Sequence, residues 1–184
     1  MSHKNKAIDI IPTKNFWVGD QHAVVSLVEF GDYESEECAA AHEVVRKLME
    51  NYEGKLKFNF MHFPQTKIHQ KAHKAAEASV AAAQHGKFWE MHDLLFRNRR
   101  SLGTISLREY AREAGVTDKN FIPHLVDSVF GWTVREDVLE AVALNVREVP
   151  AFFINGERYT GKLDYAGMAR SIDSVLTKSD KQRA

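Results

Sequence analysis

Apolar and polar positions follow two rhythms along this chain, and their order predicts an α/β arrangement. "AVVSLVEF" (residues 23–30) is β-branched and almost unbroken in hydrophobicity until Gly31-Asp32, as expected of a central strand covered on both faces. A helix follows, because Ala41, Val44, Val45, Leu48, Met49 and Tyr52 recur every three or four residues and Gly54 supplies a stop. "KLKFNFMHF" then alternates Leu56, Phe58 and Phe60 with Lys57 and Asn59, which predicts a half-buried strand ending before Pro64. Two strands separated by one helix form a βαβ unit, whose parallel crossover is normally right-handed.

From residue 68 to about 128 the periodicity is helical throughout. "AHKAAEASVAAAQHG" closes at Gly86, and "KFWEMHDLLFRN" places Phe88, Met91 and Leu95 on one face. Ser106-Leu107-Arg108-Glu109 has the Ser-x-x-Glu form of a capping box, with Gly115 closing that helix, and "DKNFIPHLVDS" predicts another. "VREDVLEAVALN" is helical to Asn145. "VPAFFINGERYTG" then gives strand, Asn155-Gly156 turn and strand, the strongest hairpin signal in the chain. Leu163, Met168, Ile172 and Leu176 predict a last helix, leaving "TKSDKQRA" as a polar, frayed tail. No repeat, linker or shift in composition divides the chain, so residues 1–184 are expected to form one domain.

Charge removes several function classes. Lysine plus arginine and aspartate plus glutamate both number 25, so no net positive field draws the chain to nucleic acid or anionic lipid. No apolar run approaches the ~18 residues needed to span a bilayer, and the first twenty residues lack the apolar stretch of a secretory signal. The expectation is therefore a cytoplasmic protein with no nucleic-acid or membrane partner. One cysteine, Cys38, excludes an intramolecular disulfide and a cysteine-rich zinc site.

"VSLVEFGDYESEECAAAHEVV", "MHFPQTKIH", "AAAQHGKFWEMHDLLF" and "NVREVPAFFINGERYTG", in that order, resemble the DsbA-like thioredoxin-fold family of disulfide oxidoreductases from about residue 16 to 176. The resemblance implies an α/β thioredoxin-like fold with an all-helical insertion at about residues 66–130. It also implies a Cys-x-x-Cys pair at the start of the first helix, where the first cysteine attacks and the second resolves the mixed disulfide. In register with "EFGDY" and "AAAHEVV", Ser35 takes the first position and Cys38 the second, with Glu36 and Glu37 between them. Two carboxylates beside Cys38 oppose thiolate formation, although they suit the positive end of a helix. Val149-Pro150 matches the pair in which this family places a cis proline beside a groove for extended substrate backbone.

These readings imply a thiol-disulfide oxidoreductase relative with a degenerate Ser-x-x-Cys site: Ser35 forms no disulfide, exchange is weak or absent, and any redox role runs through Cys38. Its partners would be protein or peptide thiols, with glutathione as a further candidate. One alternative is a non-catalytic peptide- or protein-binding module that keeps the groove; a weaker one is a glutathione-dependent transferase. Cys38 also reads as an ordinary buried small residue. His69, His73 and Glu77 fall at i, i+4 and i+8, but without a His-Glu-x-x-His pattern no metal site or cofactor is assigned. His62, His85 and His92 carry still less metal signal, and His42 is expected to tune the charge around Cys38. Phe88, Trp89 and Phe96 read as helix-packing core, and Arg97–Arg100 as a solvated helix-terminal cluster.

Overall fold

A computed structural model describes residues 9–183. After a 3-10 turn at Thr13–Asn15 the elements run β1 (Trp17–Gly19), β2 (Val25–Gly31), α1 (Glu36–Asn51) and β3 (Leu56–His62). Next come α2 (Ala72–Ala83), α3 (Phe88–Arg97), α4 (Thr104–Glu113), α5 (Phe121–Val126) and α6 (Gly131–Ala143). The chain closes with β4 (Ala151–Ile154), β5 (Glu157–Arg158) and α7 (Tyr165–Arg183). The five strands form one mixed sheet in the order β1-β3-β2-β4-β5. That sheet, with only helices between β3 and β4, is the arrangement the resemblance implies.

β2 is mostly apolar because it lies at the centre of the sheet. It pairs in parallel with β3, from Val25↔Leu56 to Gly31↔His62, and antiparallel with β4, from Leu27↔Ile154 to Phe30↔Ala151. β3 departs from the half-buried strand expected of its alternation: six of its seven residues are buried, Asn59 among them. The turn at Thr13–Asn15 and α6 pack against it, β1 pairs along its outer edge, and the Asn59 amide donates to the Thr13 and Phe16 carbonyls at 3.0 and 2.8 Å. A polar side chain is tolerated in a core when its donors are paired in this way.

α2 is buried along nearly its whole length, and its alanines let the neighbouring helices approach it closely. The sequence placed one helix start too late. Ser106 lies inside α4, which begins at Thr104 after Gly103, so no capping box forms and the Ser106 hydroxyl meets that of Ser101 instead. Leu163 precedes α7 and is exposed, while the expected frayed tail continues α7 to Arg183. The hairpin forms at Asn155-Gly156, where φ values of +48° and +82° give the left-handed pair a two-residue turn requires.

Candidate functional site

The site is assembled where β2 hands over to α1. Gly31 ends β2 against the Phe60 ring, where any Cβ would collide with the aromatic carbons. The Asp32 carboxylate is buried and accepts hydrogen bonds from Glu34 N–H at 2.7 Å and Gln65 N–H at 2.8 Å, and it faces His69 Nδ1 at 2.9 Å. Glu34 accepts from Lys71 N–H at 2.7 Å. Two acidic side chains thus strap residues 65–71 to the start of α1.

Ser35 is the N-cap of α1. Its backbone is extended, its Oγ accepts from Cys38 N–H at 3.2 Å, and its hydroxyl donates to Glu37 Oε2 at 2.9 Å. With the residue only 2% exposed, this hydroxyl is committed to the helix end. The Cys38 thiol is fully buried, and its Sγ accepts from Asp32 N–H at 3.4 Å. Burial pushes this thiol far above the range of a free cysteine, and the charges of Glu29 and Asp32 act the same way, against weaker opposition from the Ser35 and Asp32 hydrogen bonds.

Glu36 and Glu37 do not oppose the Cys38 thiolate as expected. Both are exposed, and the carboxylates that raise the Cys38 pKa are Glu29 and Asp32. Glu36 pairs with Arg99 at 3.0 Å, so the Arg97–Arg100 cluster is not wholly solvated. Glu37 is held below the usual carboxylate range by its own backbone N–H at the helix start and by Ser35. Val149 and Pro150 are half-buried and joined by a cis peptide bond, and the Phe30↔Ala151 register sets them beside the C-terminal end of β2.

Sequence reasoning passed over Glu29 and Asp32. Glu29 is buried in the middle of β2; one carboxylate oxygen has no partner, and burial raises its pKa well above the usual range. The available signal was a lone charge inside an otherwise apolar run. For Asp32 the signal was its place directly after the strand-ending glycine.

The histidines divide differently from the sequence expectation. α2 begins only at Ala72, so His69 never joins a row with His73 and Glu77; it turns to Asp32, while His73 lies 3.4 Å from the buried Glu77 carboxylate, which Lys74 also contacts at 2.8 Å. His62 is buried between Asp137 at 2.6 Å and the Ser79 hydroxyl at 2.8 Å. His42 is not among the groups that shift Cys38: it faces Asp93 on α3 at 3.3 Å and stacks on Phe96. Phe88, Trp89 and Phe96 pack around His92.

A five-stranded mixed sheet, a helix capped at the end of its central strand and an all-helical segment before the closing hairpin define a DsbA-like thioredoxin fold. The chain belongs to the thioredoxin family, whose profile matches residues 12–174. Its fold is similar to that of BdbD from Bacillus subtilis in the oxidised form, with a TM-score of 0.79 and 22% identity over 88% of this chain and 92% of that one. It is similar also to alpha-DsbA1 of Wolbachia pipientis, with a TM-score of 0.76 and 19% identity over 91% and 94% of the two chains. The catalytic domain of Proteus mirabilis ScsC gives a TM-score of 0.74 and 19% identity over 88% of each chain. Among curated proteins the chain is 32% identical over 172 residues to the Na(+)/H(+) antiporter NhaA 3 of Salinispora tropica, a match covering 94% of this chain and 26% of the relative. NhaA 1 of Salinispora arenicola gives 33% over 169 residues, again 26% of the relative. The chain thus spans about a quarter of the length of these curated relatives.

Proposed function

We propose that this chain is a DsbA-like thiol-disulfide oxidoreductase relative in which dithiol-disulfide exchange is weak or absent. The observation that carries the reading is the use of Ser35: where the resemblance puts the attacking thiol, this chain has a hydroxyl engaged as the N-cap of α1. Exchange needs a thiolate to attack a disulfide sulfur and a second thiol to displace the mixed disulfide that results. Serine forms no such bond, and Cys38 is buried and held protonated, so it is a poor substitute nucleophile.

Protein or peptide thiols remain the partner class, in a groove formed by Val149 and Pro150 with Glu36 and Glu37 at its rim. Glutathione fits less well, because the Ser35 hydroxyl already serves Cys38 and Glu37. The single cysteine supports a cytoplasmic location, since it calls for no oxidising compartment.

Insulin reduction and oxidation of a model dithiol test the proposal. Wild-type turnover comparable to a two-cysteine relative would overturn it; the expected result is turnover near the uncatalysed rate. Ser35→Cys is expected to create turnover if the groove and the rest of the site are intact. A thiol reagent should leave Cys38 unmodified in the native protein and label it after denaturation.

The second reading is a binding module that holds a polypeptide without exchanging disulfides. It is favoured by the matching segment's place in the antiporter relatives, where it makes up about a quarter of a larger protein. Titration with an unfolded, cysteine-free polypeptide distinguishes the two: saturable binding without exchange favours the module, and exchange without such binding excludes it.

A further inference from the structure

His42 on α1 and His92 and Asp93 on α3 bring three ligand atoms together, each within 4.8 Å of the others. The His42 Nε2 to Asp93 Oδ1 separation is 3.3 Å, beyond the usual range of an N–H···O hydrogen bond. It does suit a shared cation: two metal bonds of ~2.0 Å at a tetrahedral angle hold their ligand atoms about 3.3 Å apart. We propose that His42, His92 and Asp93 form a binding site for a divalent transition-metal cation of the zinc type, with a remaining coordination position open to water.

The two imidazoles are oriented before any ion arrives. His92 is buried, and its Nδ1 lies 3.0 Å from the Tyr33 hydroxyl, which leaves Nε2 to coordinate when Nδ1–H donates to that oxygen. Metal-bound histidines are commonly fixed in this way through their second nitrogen. Phe60, Phe96 and Trp89 surround the His92 ring at 4.6 to 5.2 Å between centroids, and Phe96 stacks beneath His42 at 5.0 Å. Asp93 is more than half exposed, so it can close the remaining distance and it leaves one side of the cluster open to solvent. Two nitrogens and one carboxylate with an open position match a zinc site that keeps a bound water, and an ion there would clamp α3 to the helix carrying Ser35 and Cys38.

The test is titration of the metal-stripped full chain with Co2+, followed by the visible absorption of a four- or five-coordinate ion, then displacement by Zn2+. One saturable site is expected, weakened by at least ~10-fold in Asp93→Asn and in His42→Ala, and by ~10–100-fold in Tyr33→Phe, which removes only the group behind His92. Asp93 is exposed, so Asp93→Asn should fold as the wild type and keep the comparison valid. Absence of saturable binding overturns the proposal. So does binding that survives His42→Ala and Asp93→Asn but is lost in Asp118→Asn, which would move it to the looser His85, Asp118 and His124 group, whose contacts are 3.5 and 3.9 Å.

Discussion

Replacing Ser35 by alanine tests whether this residue acts as a helix cap. Ser35→Ala removes the acceptor for Cys38 N–H, and loss of a serine N-cap costs about 1 kcal/mol, with a range of 0.5–2. The upper part of that range applies, because Cys38 is fully buried and a buried donor left unpaired costs ~1–3 kcal/mol. Glu37 also loses a partner, but it is exposed and water replaces the bond. The expected loss is thus ~2 kcal/mol, or a melting temperature lower by ~4–8 °C for a chain of this size. Thermal melts and urea titration measure it, with an unchanged urea slope confirming that only stability has moved. Ser35→Thr keeps the acceptor and should retain most of the stability. If Ser35→Ala melts within ~1 °C of the wild type, the cap does not hold α1 and Ser35 must be reconsidered as an uncommitted hydroxyl.

Glu29→Gln should be more stable than the wild type at pH 8 and converge with it near pH 4. Between the unfolded value of about 4.3 and the raised folded pKa, the native state keeps a proton that the unfolded chain has released, so wild-type stability falls as pH rises. Urea midpoints across pH decide this, and an equal difference at both ends would refute it. Asp32→Ala strips the acceptor from Glu34 N–H and Gln65 N–H, with an expected cost of ~2–4 kcal/mol and faster hydrogen exchange in residues 65–71; unchanged exchange there would contradict the strap. Lys74→Met should cost ~2 kcal/mol, discounted because Lys74 is one-third exposed, by leaving the buried Glu77 carboxylate without its cation. Adding Glu77→Gln should recover most of that loss, and a double variant no better than the single would refute the pairing.

Much of the scaffold was legible because its elements obey local rules. The mostly apolar run of β2, the three-and-four spacing of α1 and the Asn155-Gly156 turn each follow from a constraint acting within a few residues. Burial of β3 was not legible, because the cover for Asn59 comes from carbonyls more than forty residues away. Separations of 75 and 37 residues likewise hid Asp137 behind His62 and the placement of His69 against Asp32. Ser106-x-x-Glu109 misled for the opposite reason: Gly103, which starts α4, has no capping side chain and so gives no positive signal. At the site, the sequence positioned Ser35 and Cys38 but not the charges acting on them, since exposure separates Glu36 and Glu37 from Glu29 and Asp32 and spacing does not encode exposure.

That separation bears on what a thiol placed at position 35 would achieve. The backbone donors at a helix start stabilise an anion, and in α1 they are directed to a neutral hydroxyl and to the Glu37 carboxylate. A thiol introduced by Ser35→Cys would replace an oxygen that now lies 2.9 Å from Glu37 Oε2. A carboxylate this close disfavours a second negative charge, so the new thiol should be less acidic than its place at a helix start alone would make it. Adding Glu37→Gln removes that charge without removing the helix end. The double variant should therefore react with iodoacetamide at a lower pH than Ser35→Cys alone, and should reduce insulin faster. If the two variants share one pH profile, the Glu37 charge does not act on a thiol at position 35, and the argument from the 2.9 Å contact fails.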